Sequence, residues 1–328
     1  MGTVYYKGVP YYSVIMKDAR GDGSNPNLLI NGDFKINQRS TLGESPYTAN
    51  ASLMPKYTVD RWYLRGSDTN LKATLKPESA SNGGGVTFQF TTPGVSFGQI
   101  FEHADALAGK TVTLSCNTVN QNGSFNLCAL ADNKICGSVE IKTTMTDGYT
   151  ELKVNVPSDA IYFKVEIQGT ATGDGGTGSL TIYNVKLEMG GGATPFHPRT
   201  HAEELQMCQR YYYEMNYKVH HPALVRASSS ESVVRTVIPL PVPMREIPAI
   251  TYNSTSNANP SEIDSSNAIF TFSGTKSTVT SASVDTAGCD SNPDKIVLDL
   301  TVPKTLALNA TGIFRPWQRL RFDAEIYF

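Results

Sequence analysis

The feature that most restricts this 328-residue chain is a hydrophobic period of two. Val86, Phe88 and Phe90 alternate with polar neighbours, as do Val112, Leu114 and Cys116, then Leu152, Val154 and Val156, then Val165 and Ile167. Successive side chains of a strand point to opposite faces, so this period puts one face in a core and the other in water. Each run is short and bounded by Gly, Pro, Asn or Asp, as in GKTVTLSCNT and ELKVNVPSD. Short alternating strands at this spacing predict a sandwich or jelly roll over residues 27–189, closed by the strand SLTIYNVKLEM.

The stretch GGGATPFHPRTHAEELQMCQRYYY, residues 190–213, breaks the pattern. Gly190 to Gly192 free the backbone, and Pro195 and Pro198 forbid helix and sheet pairing. Thr200 and Glu203 then have the spacing of a capping box. Ala202, Leu205, Cys208 and Tyr212 follow at intervals of three and four, an apolar helical stripe. Residues 190–214 therefore read as a hinge and a short helix between two domains.

Strands resume over residues 215–328. In VIPLPVPM, Ile238, Leu240, Val242 and Met244 share one face, and Pro239, Pro241 and Pro243 withhold their donors on one side. That predicts an edge strand, or one whose proline side packs without pairing. The closing RLRFDAEIYF alternates from Leu320 to Phe328 and predicts a strand to the last residue. Residues 1–26, rich in Tyr and Gly, read as an N-terminal linker or attachment segment, where Arg20-Gly21-Asp22 is a chance tripeptide. The fold class is all-β: an N-terminal jelly-roll sandwich, a short linker helix and a second antiparallel β-domain at the C-terminus.

Composition narrows the function. Hydrophobic residues make up 40% and charged residues 18%, and the net charge is −2 with no basic cluster, which excludes a nucleic-acid footprint. No window has the apolar length of a membrane span, and the N-terminus lacks the pattern of a secretory signal. The five cysteines form no Cys-x-x-Cys pair and read as reduced and mostly buried.

Candidate chemistry is sparse. His197 and His201 are four apart, but Pro198 between them prevents one helix face from presenting both to a metal. Gly94-Val-Ser-Phe-Gly98 has the spacing of a nucleophile elbow without the strand-to-helix context that motif needs. Gly109-Lys110-Thr111 resembles the end of a phosphate-binding loop but leads into a strand. Asp60, Glu102 and Asp105 read as structural or surface carboxylates rather than a hydrolytic pair. The aromatics are more informative: 16 Tyr and 2 Trp supply flat, amphipathic contact area. Trp62 reads as core. Trp317, after Pro316, reads as exposed, and the stretch from Asn253 to Asn267 has the composition of a variable loop. Candidate ligand contacts are therefore Trp317, Tyr252, Asn257 and Asn259.

Several phrases taken together carry a resemblance. Asn27-Leu-Leu-Ile-Asn-Gly-Asp-Phe34, Gln38-Arg39, Val59-Asp-Arg-Trp62, Gly109-Lys-Thr-Val-Thr-Leu-Ser115 and Val185-Lys-Leu-Glu-Met189 resemble the carbohydrate-binding-module-like jelly rolls of phage tail proteins. Ala193-Thr-Pro-Phe196, Glu203-Glu-Leu205, Cys208-Gln-Arg-Tyr-Tyr212, Pro243-Met-Arg245 and Asp323-Ala-Glu-Ile326 are similar to the phrases that follow in such proteins. The resemblance implies a non-catalytic tail-fibre or receptor-binding protein of a phage or prophage-derived particle, assembled in the host cytoplasm and resident in the virion tail, with the C-terminal β-domain of residues 215–328 as its distal, receptor-binding part. Its implied partners are a bacterial surface polysaccharide or glycan, other tail or baseplate proteins, and itself as a homotrimer, with no membrane insertion. Leu205, Cys208 and Tyr212 are then candidates for the oligomer helix. No cofactor is required, and jelly rolls of this kind often hold a structural calcium, for which Asp33 and Glu188 are the candidate ligands. A glycan depolymerase, and a connector subunit with no ligand of its own, stay open as alternatives.

Overall fold

The computed structural model describes residues 5–6, 9–10, 23–39, 47–50, 56–66, 72–77, 84–132, 139–215, 220–228, 232–252, 268–272, 275–278, 281–291, 293–302, 311–316 and 320–326. A short ladder pairs β1 (Tyr5–Tyr6) with β2 (Val9–Pro10). The sandwich follows, with strands β3 (Tyr47–Asn50), β4 (Lys56–Tyr57), β5 (Tyr63–Gly66), β6 (Lys72–Pro77), β7 (Val86–Phe90), β8 (Val95–Phe101), β9 (Thr111–Asn122), β10 (Ser124–Asp132), β11 (Val139–Thr144), β12 (Gly148–Asn155), β13 (Tyr162–Ala171) and β14 (Gly178–Met189). They form two antiparallel six-stranded sheets. The front sheet has the order β11-β10-β13-β8-β5-β4 and the back sheet β12-β9-β14-β7-β6-β3.

The period of two has its expected consequence. Val86, Phe88, Phe90, Val112, Leu114, Cys116, Leu152, Val154, Val165 and Ile167 all enter one buried core between the sheets. Trp62 is buried there, stacked on Phe97 at 5.1 Å, and its indole N–H donates to the carbonyls of Ile30 and Asn31. The phrases that carried the resemblance are the fastenings of this unit. The Leu28 N–H donates to Leu187 O and the Val185 N–H to Gly32 O. Asn31, at φ 57°, donates from its amide to the carbonyls of Ile36 and Asp60. Ser24 and Asn25, expected in the linker, are bonded to Pro195 and Thr194.

Helix α1 spans His201–Gln209. Its capping box forms as expected: the Thr200 N–H and hydroxyl donate to Glu203 Oε2 at 3.0 and 2.8 Å, and the Glu203 N–H donates to Thr200 Oγ1 at 3.3 Å. The stripe differs from the expected one. Ala202 is exposed, Leu205 half-buried, and the buried ridge is Glu204 with Cys208. The cause is Glu204, whose carboxylate is drawn inward by Arg199 and by the Asn31 N–H. Tyr212 is not helical; the helix ends at Gln209, one residue after Cys208, and Tyr212 begins a strand. Consecutive tyrosines favour extended chain, where alternate rings take opposite faces.

The remaining strands are β15 (Tyr212–Met215), β16 (His221–Ser228), β17 (Ser232–Pro239), β18 (Ala249–Tyr252), β19 (Ala268–Phe272), β20 (Thr275–Thr278), β21 (Ser281–Val284), β22 (Lys295–Val302), β23 (Thr311–Pro316) and β24 (Leu320–Asp323). They make a three-stranded sheet, β15-β24-β18, and a seven-stranded sheet, β20-β19-β23-β16-β17-β22-β21. One core joins them, with Met215, Leu320 and Phe322 from the first and Val225, Val234, Leu298 and Phe314 from the second. β17 is not an edge strand: β16 and β22 flank it. It ends at Pro239, and from there the proline side packs without pairing while the Leu240 and Met244 N–H groups donate to Asp294 and Pro293. β24 closes at Asp323 rather than at the terminus. Glu325, expected outward, is buried, and residues 327–328 lie outside the described residues.

The chain divides into two compact units, residues 1–204 with 326–328, and residues 205–325. Among the described residues no helix is long and apolar enough to cross a membrane.

Candidate functional site

Alternation along β13 puts Phe163, Val165 and Ile167 in the core, so Lys164, Glu166 and Gln168 stand on the outer face of the front sheet. Register then builds three rows across that face. One runs Lys142, Cys128, Glu166, Gly98, Tyr63, Tyr57. Another runs Thr144, Asn126, Gln168, Ser96, Arg65, and the third Glu140, Leu130, Lys164, Ile100.

Where the first and third rows cross β13, the face is charged and dry. Glu166 and Lys164 have side chains only 2% and 3% exposed and pair at 2.7 Å. The Tyr63 hydroxyl donates to Glu166 Oε1 at 2.8 Å, reaching it across Gly98. A Cβ at Gly98 would lie 2.4 Å from Val165 O and 3.1 Å from the Tyr63 hydroxyl, so only glycine leaves room for this contact. Tyr57 packs edge-on against Tyr63 at 6.0 Å, and the two with Ile100 form a small separate cluster.

Electrostatics follow from burial and pairing. Burial pushes the Glu166 carboxyl up, but Lys164, Arg65 and the Tyr63 hydroxyl outweigh it, and the net shift is downward. Burial lowers Lys164, with Glu166 opposing in part. Burial, then Glu166, raises Tyr63 well above its ordinary value. Burial, aided by Glu140 and Glu166, pushes the Cys128 thiol up to about 12. At neutral pH the face therefore holds the Glu166 carboxylate, paired with Lys164, a neutral Tyr63 phenol and a protonated Cys128 thiol. Above them stands a wetter rim. The Gln168 amide bridges Glu140 and Glu166, at 3.1 Å to each, and Arg65, Asn126, Glu140 and Lys142 are half-buried or exposed. Such a rim, anchored from below, offers hydrogen bonds in fixed directions.

None of the candidate ligand contacts, oligomer-helix residues or calcium ligands singled out from sequence lies in these rows. Trp317, Asn257 and Asn259 fall outside the described residues. Tyr252 closes β18 opposite Leu320. Cys208 and Tyr212 are buried within the single chain, which uses the apolar surface assigned to an oligomer axis. Asp33 pairs with Lys35 at 2.8 Å. Glu188 pairs with Lys186 at 3.3 Å and accepts from the Thr194 N–H and hydroxyl. Each carboxylate thus takes a cation from the chain itself, and among the described residues no group of three or more His, Cys, Asp or Glu is placed to hold a metal. Asp60 is a buried acceptor for Gln38. Ser96 of the Gly-x-Ser-x-Gly spacing sits inside antiparallel β8, not on a strand-to-helix turn. The signal for the front face was present: reading Val165 and Ile167 as core already places Lys164, Glu166 and Gln168 opposite.

No protein-family profile matches the chain, and no curated protein matches it. Among solved structures it is similar to the CBM22-1 and GH10 modules of a Clostridium thermocellum endo-1,4-beta-D-xylanase complexed with xylohexaose, at 16% identity and TM-score 0.30, over 43% of this chain and 28% of that one. It is similar to a family 11 carbohydrate-binding module of Clostridium thermocellum at 11% identity and TM-score 0.30, over 44% of this chain and all of the other. It is also similar to the enzymatically active domain of tailspike protein 4 of bacteriophage CBA120, at 13% identity and TM-score 0.30, over 50% of this chain and 21% of that one.

Proposed function

We propose that this protein binds a saccharide on the outer face of its front sheet, without cleaving it, as the receptor-binding component of a phage or prophage-derived tail that attaches to a bacterial surface glycan. The observation that carries the reading is the buried Lys164–Glu166–Tyr63 cluster beneath the polar rim of Arg65, Gln168 and Asn126. Charges buried on an outer face are costly unless they hold something in place, and here they orient hydrogen-bonding groups of the kind that read hydroxyls. Binding rather than hydrolysis fits the carboxylate: a general acid needs a raised value, whereas Glu166 is held down. The sequence phrases shared with phage tail proteins support the setting and a trimeric assembly, which multiplies a weak site by avidity. The test is titration of the purified protein with host surface polysaccharide by calorimetry, beside the Arg65→Ala/Gln168→Ala variant. Affinity is expected to fall about tenfold or more, with no new reducing ends released; an unchanged affinity sinks the site, and released ends sink the binding-only reading. Light scattering should give about three times 35.6 kDa, and a monomer argues against the fibre.

A further inference from the structure

The outer face of the back sheet carries a second arrangement, independent of the first. Tyr149 on β12 lies opposite Asn117 on β9, and Asn117 lies opposite Tyr183 on β14. The two tyrosines are therefore two strand spacings apart, about 9.6 Å, with a carboxamide between them. The Tyr183 ring lies along the sheet rather than standing off it. A Cβ at Gly85 would come within 2.5 Å of Cδ1 and Cε1 of Tyr183, so that ring is laid over a glycine. Tyr149 remains 53% exposed.

The next two rows along this face are closed. Lys186 and Glu188 are buried there and hold Thr194 and Pro195 across the sheet. The tyrosine row begins where that covering segment stops. Its surroundings are polar and of mixed charge: Thr87 bonded to Thr181 at 2.7 Å, Gln89 exposed, and Glu151 and Lys153 exposed on β12. Two rings in a polar field are too little apolar area for the buried centre of a protein interface. They suit a ligand that is apolar on its ring faces and hydroxylated at its edges.

We propose that Tyr149, Asn117 and Tyr183 form a second saccharide platform, which takes an extended, β-linked neutral glycan with one sugar stacked on each ring and the Asn117 amide reading hydroxyls between them. The row crosses three neighbouring strands and the Tyr183 ring extends it over Gly85 toward β7, so an extended chain laid across the strands can pass over both tyrosines. The proposal rests on the reading that the chain binds glycan, but not on the front-sheet site.

The experiment is native affinity electrophoresis of the full chain in gels containing hydroxyethylcellulose, soluble xylan or a soluble β-1,3-glucan. It compares wild type, Tyr149→Ala, Tyr183→Ala, Tyr149→Phe and the front-face variant Arg65→Ala/Gln168→Ala, with melting temperatures measured in parallel. Retardation by at least one polysaccharide is expected, weakened about tenfold by either alanine change. Tyr149→Phe, which keeps the stacking ring, and the front-face variant are expected to retain it. Loss in the front-face variant with retention in Tyr149→Ala overturns the platform and leaves the front site standing. Retention in Tyr149→Ala, whose exposed ring is removable without unfolding, overturns it too, as does wild type that none of the three gels retards.

Discussion

Glu166 is the residue on which the front face depends. Its carboxylate takes the Lys164 ammonium at 2.7 Å and the Tyr63 hydroxyl at 2.8 Å in a place nearly free of water. Replacing it by Gln strands a buried cation, a change that costs about 3–5 kcal/mol. Chemical denaturation of Glu166→Gln should show that loss, and replacing both partners by apolar residues of similar size should recover most of it. The same residue sets a pH dependence. Its folded value lies below the ordinary 4.5, so between the two values the unfolded chain binds more protons than the folded one. Its contribution is full above about pH 4.5 and is lost as the pH falls through the lower folded value. Melting temperature measured down an acid series should fall in that window, and the Gln variant should flatten the fall. Lys164 works at the other end: held below 10.5 by burial, its part of the stability rises with pH between its folded value and 10.5.

Among elements, the short helix shows how far local chemistry reaches. Thr200 and Glu203 are three apart, and their reciprocal bonds need nothing from the rest of the chain. Thr200→Ala should therefore cost about 1 kcal/mol, visible as a lower midpoint in urea; no change would mean that the helix start is fixed by its neighbours alone. The face of the same helix was not legible. Spacing chose Leu205 and Tyr212, but a buried carboxylate, Glu204, turns inward to meet Arg199. Periodicity counts apolar residues and cannot count a carboxylate turned inward by an adjacent arginine and by the Asn31 N–H from a distant segment. β17 teaches the same lesson in reverse. Its prolines limit where it can donate, and the structure meets that limit by ending the ladder at Pro239 rather than by moving the strand to an edge.

At the scale of the molecule the two large cores of the described residues have no member in common, one between the sheets of the sandwich and one between the sheets of the second unit. Phe314 is fully buried in the second, and its truncation to Ala should cost about 3–5 kcal/mol. Scanning calorimetry of Phe314→Ala should lower one transition and leave another in place; a single transition moving as a whole would show that the cores unfold together. The two outer faces of the sandwich also belong to this scale, since each is assembled from strands far apart in the chain.

The sequence by itself determined the class of fold, the inward and outward positions of four sandwich strands (β7, β9, β12 and β13), the burial of Trp62 and the start of the helix. All of these rest on a period of two, a capping spacing or a turn residue, which are properties of neighbours along the chain. Tertiary structure alone decided which strands lie side by side. Tyr63 and Glu166 are 103 residues apart, and nothing local pairs β5, β8 and β13 in one register. The rows that make both candidate surfaces exist only across strands, because the hydrogen bonds that set a register join segments distant in sequence, and the side chains of one row meet only after that pairing is made.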